Sequence, residues 1–283
     1  MTWRVIFCPP FLANQGDDMD IAQQIKAGDL ADALKAVQQQ VRTNPADPKL
    51  RILLCQLQII LGQWDKARTQ LDVLNDLDKM AQFMVQTYQQ VLLCEGIRQD
   101  VFAGKRAPLV FGDPEPWIAF MLEALRVEID GQHAAAKQLR EQALEQATVV
   151  SGTIDNDSFA WIADADSRIG PMLEAIVNGQ YYWIPFHRLS SIQLTAPEDL
   201  RDFAWIPAQF VWANGGETFG FIPTRYTGSE NSTDSFIQLA RKTEWEEISA
   251  DSYRGCGQRM FTTDQNDYSL LDIREIKINP IEK

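Results

Sequence analysis

At 283 residues, 45% hydrophobic and 23% charged, the chain has the composition of a globular protein and enough length for two domains with a sizeable core. A formal net charge of −13 and an isoelectric point near 4.6 argue against a nucleic-acid backbone or an anionic membrane surface as partner, since both need a basic face. The acidity is uneven: residues 1–150 carry 15 Lys+Arg and 19 Asp+Glu, and residues 151–283 carry 11 and 20, which puts a boundary near residue 150.

Residues 1–18 open with a short apolar run that Pro9-Pro10 interrupts, too short for a secretory leader, and they are expected to form a disordered arm. No stretch approaches the roughly 20 apolar residues of a membrane span. Helical patterning begins at Asp20 and continues to about Val149. Within it one pattern occurs twice: Gly28 with Ala33 and Val37, and 34 residues later Gly62 with Ala67 and Leu71. That period belongs to the tetratricopeptide unit, a helix pair that buries its apolar face only by stacking on a neighbour. Residues 29–41 and 49–61 read as helices. Trp64 sits at a turn, with Asp65 as the expected cap of the next helix. Gly96 and Gly131 continue the phase and are expected to end the first helices of two weaker units. The Pro-rich segment 107–116 reads as a loop that interrupts the array.

After Val150 the texture changes to short aromatic and β-branched runs. Residues 159–163, 172–177 and 180–186 read as strands, the last two joined at Asn178-Gly179, a strong hairpin signal. Residues 204–212 and 218–222 form a second pair around Asn214-Gly215-Gly216. Residues 198–202 read as a helical turn, 227–234 as a polar loop, 234–243 as a short helix, 254–257 as a turn and 268–278 as a final edge strand. The fold class is therefore α+β in two domains: residues 19–150 as a tetratricopeptide-like helical array and residues 151–283 as a β-rich domain.

Chemical signatures are sparse. Cys8, Cys55, Cys94 and Cys256 have neither metal-ligand nor redox spacing and read as free thiols of a reducing compartment. His133 and His187 fall in different halves without a ligand partner at metal spacing, so His133 reads as a solvated loop residue and His187 as structural. The Asp164-x-Asp166 pair fails as a calcium loop because Arg168 and Ile169 occupy the positions that need an oxygen donor and glycine. Gly104-Lys105-Arg106 lacks the flanks of a phosphate loop, and no G-x-S-x-G elbow occurs. The aromatics Tyr181, Tyr182, Trp183, Trp161, Trp205 and Trp212 read as sheet packing rather than base stacking, which would also require positive charge. No cofactor or metal is expected.

The stretch FAWIADADSRIGPMLEAIVNGQYYWIPFHRL (159–189), followed by LRDFAWIPAQFVWANGGE (200–217), resembles the ImpE/SciE/TagJ family of bacterial type VI secretion accessory proteins. The resemblance runs from Met19 onward, and residues 1–18 depart from it. It implies a non-enzymatic adaptor of the bacterial cytoplasm whose partners are the small subunit of the contractile sheath and ClpV, the AAA+ ATPase that disassembles the sheath. A helical-repeat groove suits an amphipathic partner helix. In the repeat phase its expected lining is Lys49, Ile52, Gln56 and Ile59 from the second unit, and Phe83, Gln86 and Gln90 from the third. The alternative is that these residues pack on a neighbouring helix. Asp164, Asp166 and Arg168 are expected as a second docking surface, or else as a turn held by an Asp–Arg pair. The competing function is a hydrolase or carbohydrate-binding module in the β-rich domain, carried on the helical scaffold.

Overall fold

The computed structural model describes residues 16–113 and 115–281. The helical part consists of α1 (Gly16–Ala27), α2 (Leu30–Thr43), α3 (Pro48–Ile60), α4 (Trp64–Leu77), α5 (Gln82–Phe102), α6 (Pro116–Ile129) and α7 (His133–Gln146). The expected arm lies outside the described residues, as does Cys8, except for residues 16–18, which open α1. Leu30, Ala33, Val37 and Val41 form the buried stripe of α2, which is the 3.6-residue period seen as burial. Asp47 caps α3, accepting from Lys49 N at 2.8 Å, with Pro48 as its first residue. Gly28 and Gly62 take φ of +91° and +65°, the left-handed turn that returns the chain after each first helix. Ala33 and Ala67 are fully buried where the second helix crosses the first.

Two expectations about the array need correction. Gln63 rather than Asp65 occupies the capping position of α4; Asp65 lies in its first turn, where a carboxylate still favours the helix dipole. Gly96 ends nothing. It lies inside α5, which runs 21 residues and stops before Gly104, at φ +71°. The reason is the stripe Val85, Tyr88, Leu92, Glu95, Arg98 and Val101, buried on both sides of Gly96. One glycine costs a helix interior about 1 kcal/mol, less than the burial of that stripe returns.

The β part contains β1 (Leu109–Val110), β2 (Gly152–Ile154), β3 (Asp157–Phe159), β4 (Ile162–Asp164), β5 (Met172–Val177), β6 (Gln180–Pro185), β7 (Leu189–Leu194), β8 (Trp205–Trp212) and β9 (Glu217–Pro223). After the short helix α8 (Ser235–Gln238) come β10 (Thr243–Ser249), β11 (Ser252–Gly257), β12 (Met260–Thr263), β13 (Asp267–Ser269) and β14 (Glu275–Ile278). Nine strands form one sheet in the order β1-β6-β5-β9-β8-β7-β14-β2-β3; β13-β12-β4 form a second sheet and β10-β11 a hairpin. Asn178 and Gly179 both have positive φ, as the expected two-residue hairpin requires.

Four β readings differ from the structure. Residues 159–163 are not one strand: the chain breaks at Ala160, whose N–H donates to Asp264 Oδ1 at 2.6 Å, and β3 and β4 enter different sheets. Residues 254–257 belong to β11, the turn lying instead at Asp251 with φ +61°. Residues 268–278 are β13, a 3₁₀ turn and β14, and β14 is interior, paired with β7 and β2. The Pro-rich segment carries β1, which joins the sheet parallel to β6.

Every residue of β5 is buried, because both faces of the strand are covered. Met172, Glu174 and Ile176 point to the helices; Leu173, Ala175 and Val177 point to the opposite core. The helix-side core also takes in Tyr181, Trp183 and Trp205, so helices and sheet share one interior.

Candidate partner-binding groove

Charged residues run through that shared interior. Arg98 of α5 donates from Nε to Glu174 Oε1 of β5 at 2.7 Å, from Nη1 to Glu95 Oε1 at 3.1 Å and from Nη2 to Arg225 O at 2.8 Å. Arg259 joins Glu174 to Asp164, and Tyr226 OH donates to Asp164 Oδ1 at 3.1 Å. Trp205 Nε1 donates to Glu95 Oε2 at 2.9 Å, and Tyr181 OH donates to Glu174. Burial pushes the Glu174 carboxyl up, but Arg98 and Arg259 outweigh it and bring it to about 2. Burial raises Asp164 to about 7 against the pull of Arg259. The network is a clamp between α5 and the sheet, with its acceptors and donors matched inside the protein.

This interior accounts for five of the ten expected contact residues. Asp164, Asp166 and Arg168 are buried. Arg168 grips Asp166 through Nε at 2.9 Å and Nη2 at 2.6 Å, which is the Asp–Arg turn, so these residues present nothing to a partner. Gln56 and Ile59 are 2% and 1% exposed. The inner side of α3 is occupied by the chain's own 3₁₀ turn Leu200–Phe203 and by Arg225, which donates to Ile60 O at 2.8 Å. Glu230 lies over the turn at Gly62, where a Cβ would meet its Cγ at 2.6 Å. The concave side of the first units is therefore filled from within. Lys49 is exposed and Ile52 half-buried on the outer turns of α3, apart from the remaining three.

Phe83, Gln86 and Gln90 do come together. They line a groove of about 510 Å³ between α5 and the sheet, facing Asn178-Gly179 and the stretch of β9 from Glu217 to Phe221. Phe83 and Phe219 are 48% and 46% exposed, and Gln86 and Gln90 are also exposed. The groove opens where the β5–β9 ladder stops at Val177↔Gly220. Its base is fixed by Cys94 Sγ donating to Gly179 O at 3.2 Å and by Tyr88 against Phe221, ring centroids 5.7 Å apart. Gly220 is required there, since a Cβ would lie 2.4 Å from Ile176 O. Two half-exposed aromatics, two glutamines and one carboxylate, Glu217, are part of the groove's lining. Thr218, Phe219 and Phe221 were not expected here. The period-2 pattern of β9 identifies a strand but not the helix it meets.

His187 is structural. Its Nε2 lies 2.8 Å from Glu115 Oε1, which also accepts from Arg188 Nη2 at 2.8 Å, while Glu115 Oε2 accepts from Trp117 Nε1 at 2.9 Å. The cluster ties the Pro-rich segment to the sheet. Burial lowers the His187 pKa, and Glu115 partly restores it. In Glu115→Gln the His187 resonance should therefore titrate lower still, a shift readable by NMR. His133 is exposed but opens α7 rather than lying in a loop. Tyr181, Trp183 and Trp205 face the helices and Trp212 stacks on Phe111 at 4.1 Å. Among the described residues no group of His, Cys, Asp and Glu is placed to hold a metal ion, and no helix is long and apolar enough to cross a membrane.

Comparison with known proteins adds three findings. The family model described as ImpE protein matches residues 156–277, and a tetratricopeptide repeat model matches residues 24–83. The type VI secretion system accessory component TagJ of Pseudomonas aeruginosa is 46% identical over 269 residues, covering 95% of this chain and 94% of that protein. The crystal structure of protein VPA1032 from Vibrio parahaemolyticus superposes with a TM-score of 0.84 at 20% identity, over 93% of this chain and 98% of that one, a likeness of fold.

Proposed function

The chain belongs to the ImpE family shared with TagJ, and on that premise we propose that it is a non-enzymatic adaptor of a bacterial type VI secretion system. An accessory role in that system is what the likeness to TagJ supports. The finer reading is that the protein works in the cytoplasm, seats a helix of the small contractile-sheath subunit and brings it to the ClpV ATPase. The observation that supports this reading is the groove lined together by Phe83, Gln86 and Gln90 of α5 and Phe219 of β9, with both rings half-exposed.

An amphipathic helix presents apolar residues three and four apart, the kind of surface that Phe83 and Phe219 would receive. Glu217 at the rim and the net charge of −13 favour a partner face carrying Lys or Arg, which would also speed encounter. A hydrolase in the β part would need a general acid or base in a cavity; His187 is held by Glu115 and is not part of the groove lining.

The test is a pull-down with purified sheath small subunit and with ClpV, comparing wild type with Phe83→Asp/Phe219→Asp. Both side chains are about half-exposed, so the double variant should fold. At least tenfold weaker capture of the sheath subunit is expected. A wild type that captures neither protein would overturn the adaptor, and undiminished capture by the double variant would move the seat elsewhere.

A further inference from the structure

Short connections turn each helix of the array back on the one before it, so α1, α3 and α5 start at the same end. Asp20 and Ile21 of α1 accordingly lie beside Gln40, Thr43 and Asn44 at the close of α2. Phe83 is the second residue of α5. It therefore lies at the same end of the array as Gly16, the first residue of α1. Fifteen residues precede Gly16. Fully extended they reach about 50 Å, and the helix-to-helix steps from α1 to α5 span at most about 40 Å at the usual interaxial spacing.

Their chemistry differs from that of the rest of the chain. Residues 1–15 hold Trp3, Val5, Ile6, Phe7, Phe11 and Leu12, with Arg4 and no acidic residue. The other 268 residues carry 25 Lys+Arg and 39 Asp+Glu. The passage from α4 to α5 is apolar and acidic: Leu77 and Met80 are 41% and 90% exposed, and Asp76 and Asp78 outnumber Lys79. Glu217 stands in the groove lining. Exposed apolar side chains gathered in one region mark a surface that another segment covers.

We propose that residues 1–15 of this chain fold back and occupy the groove between α5 and β9. Their apolar residues cover Phe83 and Phe219, while Arg4 and the α-amino group meet Glu217 and the aspartates of the α4–α5 passage. Weak intrinsic affinity suffices, because a segment on a short tether is present at an effective concentration in the millimolar range. One consequence rests on the groove being the partner seat: a sheath helix has to displace the segment, so the chain holds its own seat closed until a partner arrives.

Cys8 offers a native point for a nitroxide label. Cys55 and Cys94 are buried, with thiols pushed up to about 12 and about 11 by burial, and the half-buried Cys256 is removed as Cys256→Ser. In NMR spectra of the full chain, the label should broaden Gly179 and the side-chain amides of Gln86 and Gln90 to less than half of their intensity with the label reduced. Phe7→Asp/Phe11→Asp should restore them, the remaining resonances reporting that the fold is intact. No broadening, or broadening that the substitutions leave unchanged, would overturn the proposal. Broadening of isotope-labelled copies by nitroxide on separate copies would also overturn it, by assigning the occupant to a second molecule. In the capture assay the Phe7→Asp/Phe11→Asp variant should take up the sheath subunit at least threefold more strongly than wild type, and equal capture would overturn the competition. Capture by neither form would instead overturn the adaptor reading, with the broadening and the seated segment standing.

Discussion

Replacing Arg98 with methionine should lower the unfolding free energy by about 3–5 kcal/mol, read from the midpoint of a urea transition. The size follows from what is left behind. Arg98 is 2% exposed and serves Glu95, Glu174 and the Arg225 carbonyl together. Without it, Glu95 loses its guanidinium partner inside the core, and Glu174 keeps only Arg259 and Tyr181. Charges stranded in low dielectric cost several kcal/mol each unless they take up a proton. Adding Glu95→Gln to the variant should restore part of the loss, since one stranded charge is removed. Arg126 provides the contrast: its pair with Glu123 is about half-exposed on both sides, and Arg126→Met should barely move the unfolding midpoint. A loss for Arg98→Met as small as that would mean that the network does not hold α5 to the sheet.

Glu174 should also give the fold a marked acid dependence. Its carboxyl titrates at about 2 in the folded protein against about 4.5 in an unfolded chain. Between those values the unfolded chain binds a proton that the folded chain refuses, so stability rises with pH across the window. The displacement corresponds to about 3 kcal/mol, fully present above pH 4.5 and lost as the pH falls towards 2. The stability difference between wild type and Glu174→Gln, followed by denaturant unfolding from pH 5 to 2, should shrink by about that amount. Asp164 acts with the opposite sign. Raised to about 7 by burial, it favours the folded state most below its ordinary pKa, and that contribution fades as the pH climbs through 7. A difference for Glu174→Gln that stays constant with pH would show that Arg98 and Arg259 do not hold the carboxyl down.

Local signals located most of the helices and the strands β5, β6, β8 and β9, but not β2, β7, β10 or β12. The stripe of α2, Pro48 opening α3 and the Asn178-Gly179 turn are all settled within a few residues, so periodicity and turn chemistry find them. What escaped depends on partners far along the chain. Gly96 looked like a turn because its spacing matched Gly62, yet the burial of Glu95 and Arg98 against β5 carries the helix past it. Asp164, Asp166 and Arg168 look like a polar surface until Arg259, 95 residues away, is seen to donate to the first of them. Phe83, Gln86 and Gln90 were legible as one helix face, but their other wall comes from β9. Gln56 and Ile59 are buried where the chain's own residues around Leu200 and Arg225 cover α3, while Lys49 is exposed and Ile52 half-buried.

The placement of β14 between β7 and β2 bears on how the protein is made. As the chain leaves the ribosome, β2 and β7 emerge well before the strand that joins them, and neither can complete its ladder alone. An incomplete nascent chain would expose Ile154 and Ile192, which pair with Ile276 across the finished sheet. Such unpaired apolar edges are what chaperones and proteases act on. A message cut short should therefore yield fragments that are degraded rather than half-formed copies of the protein.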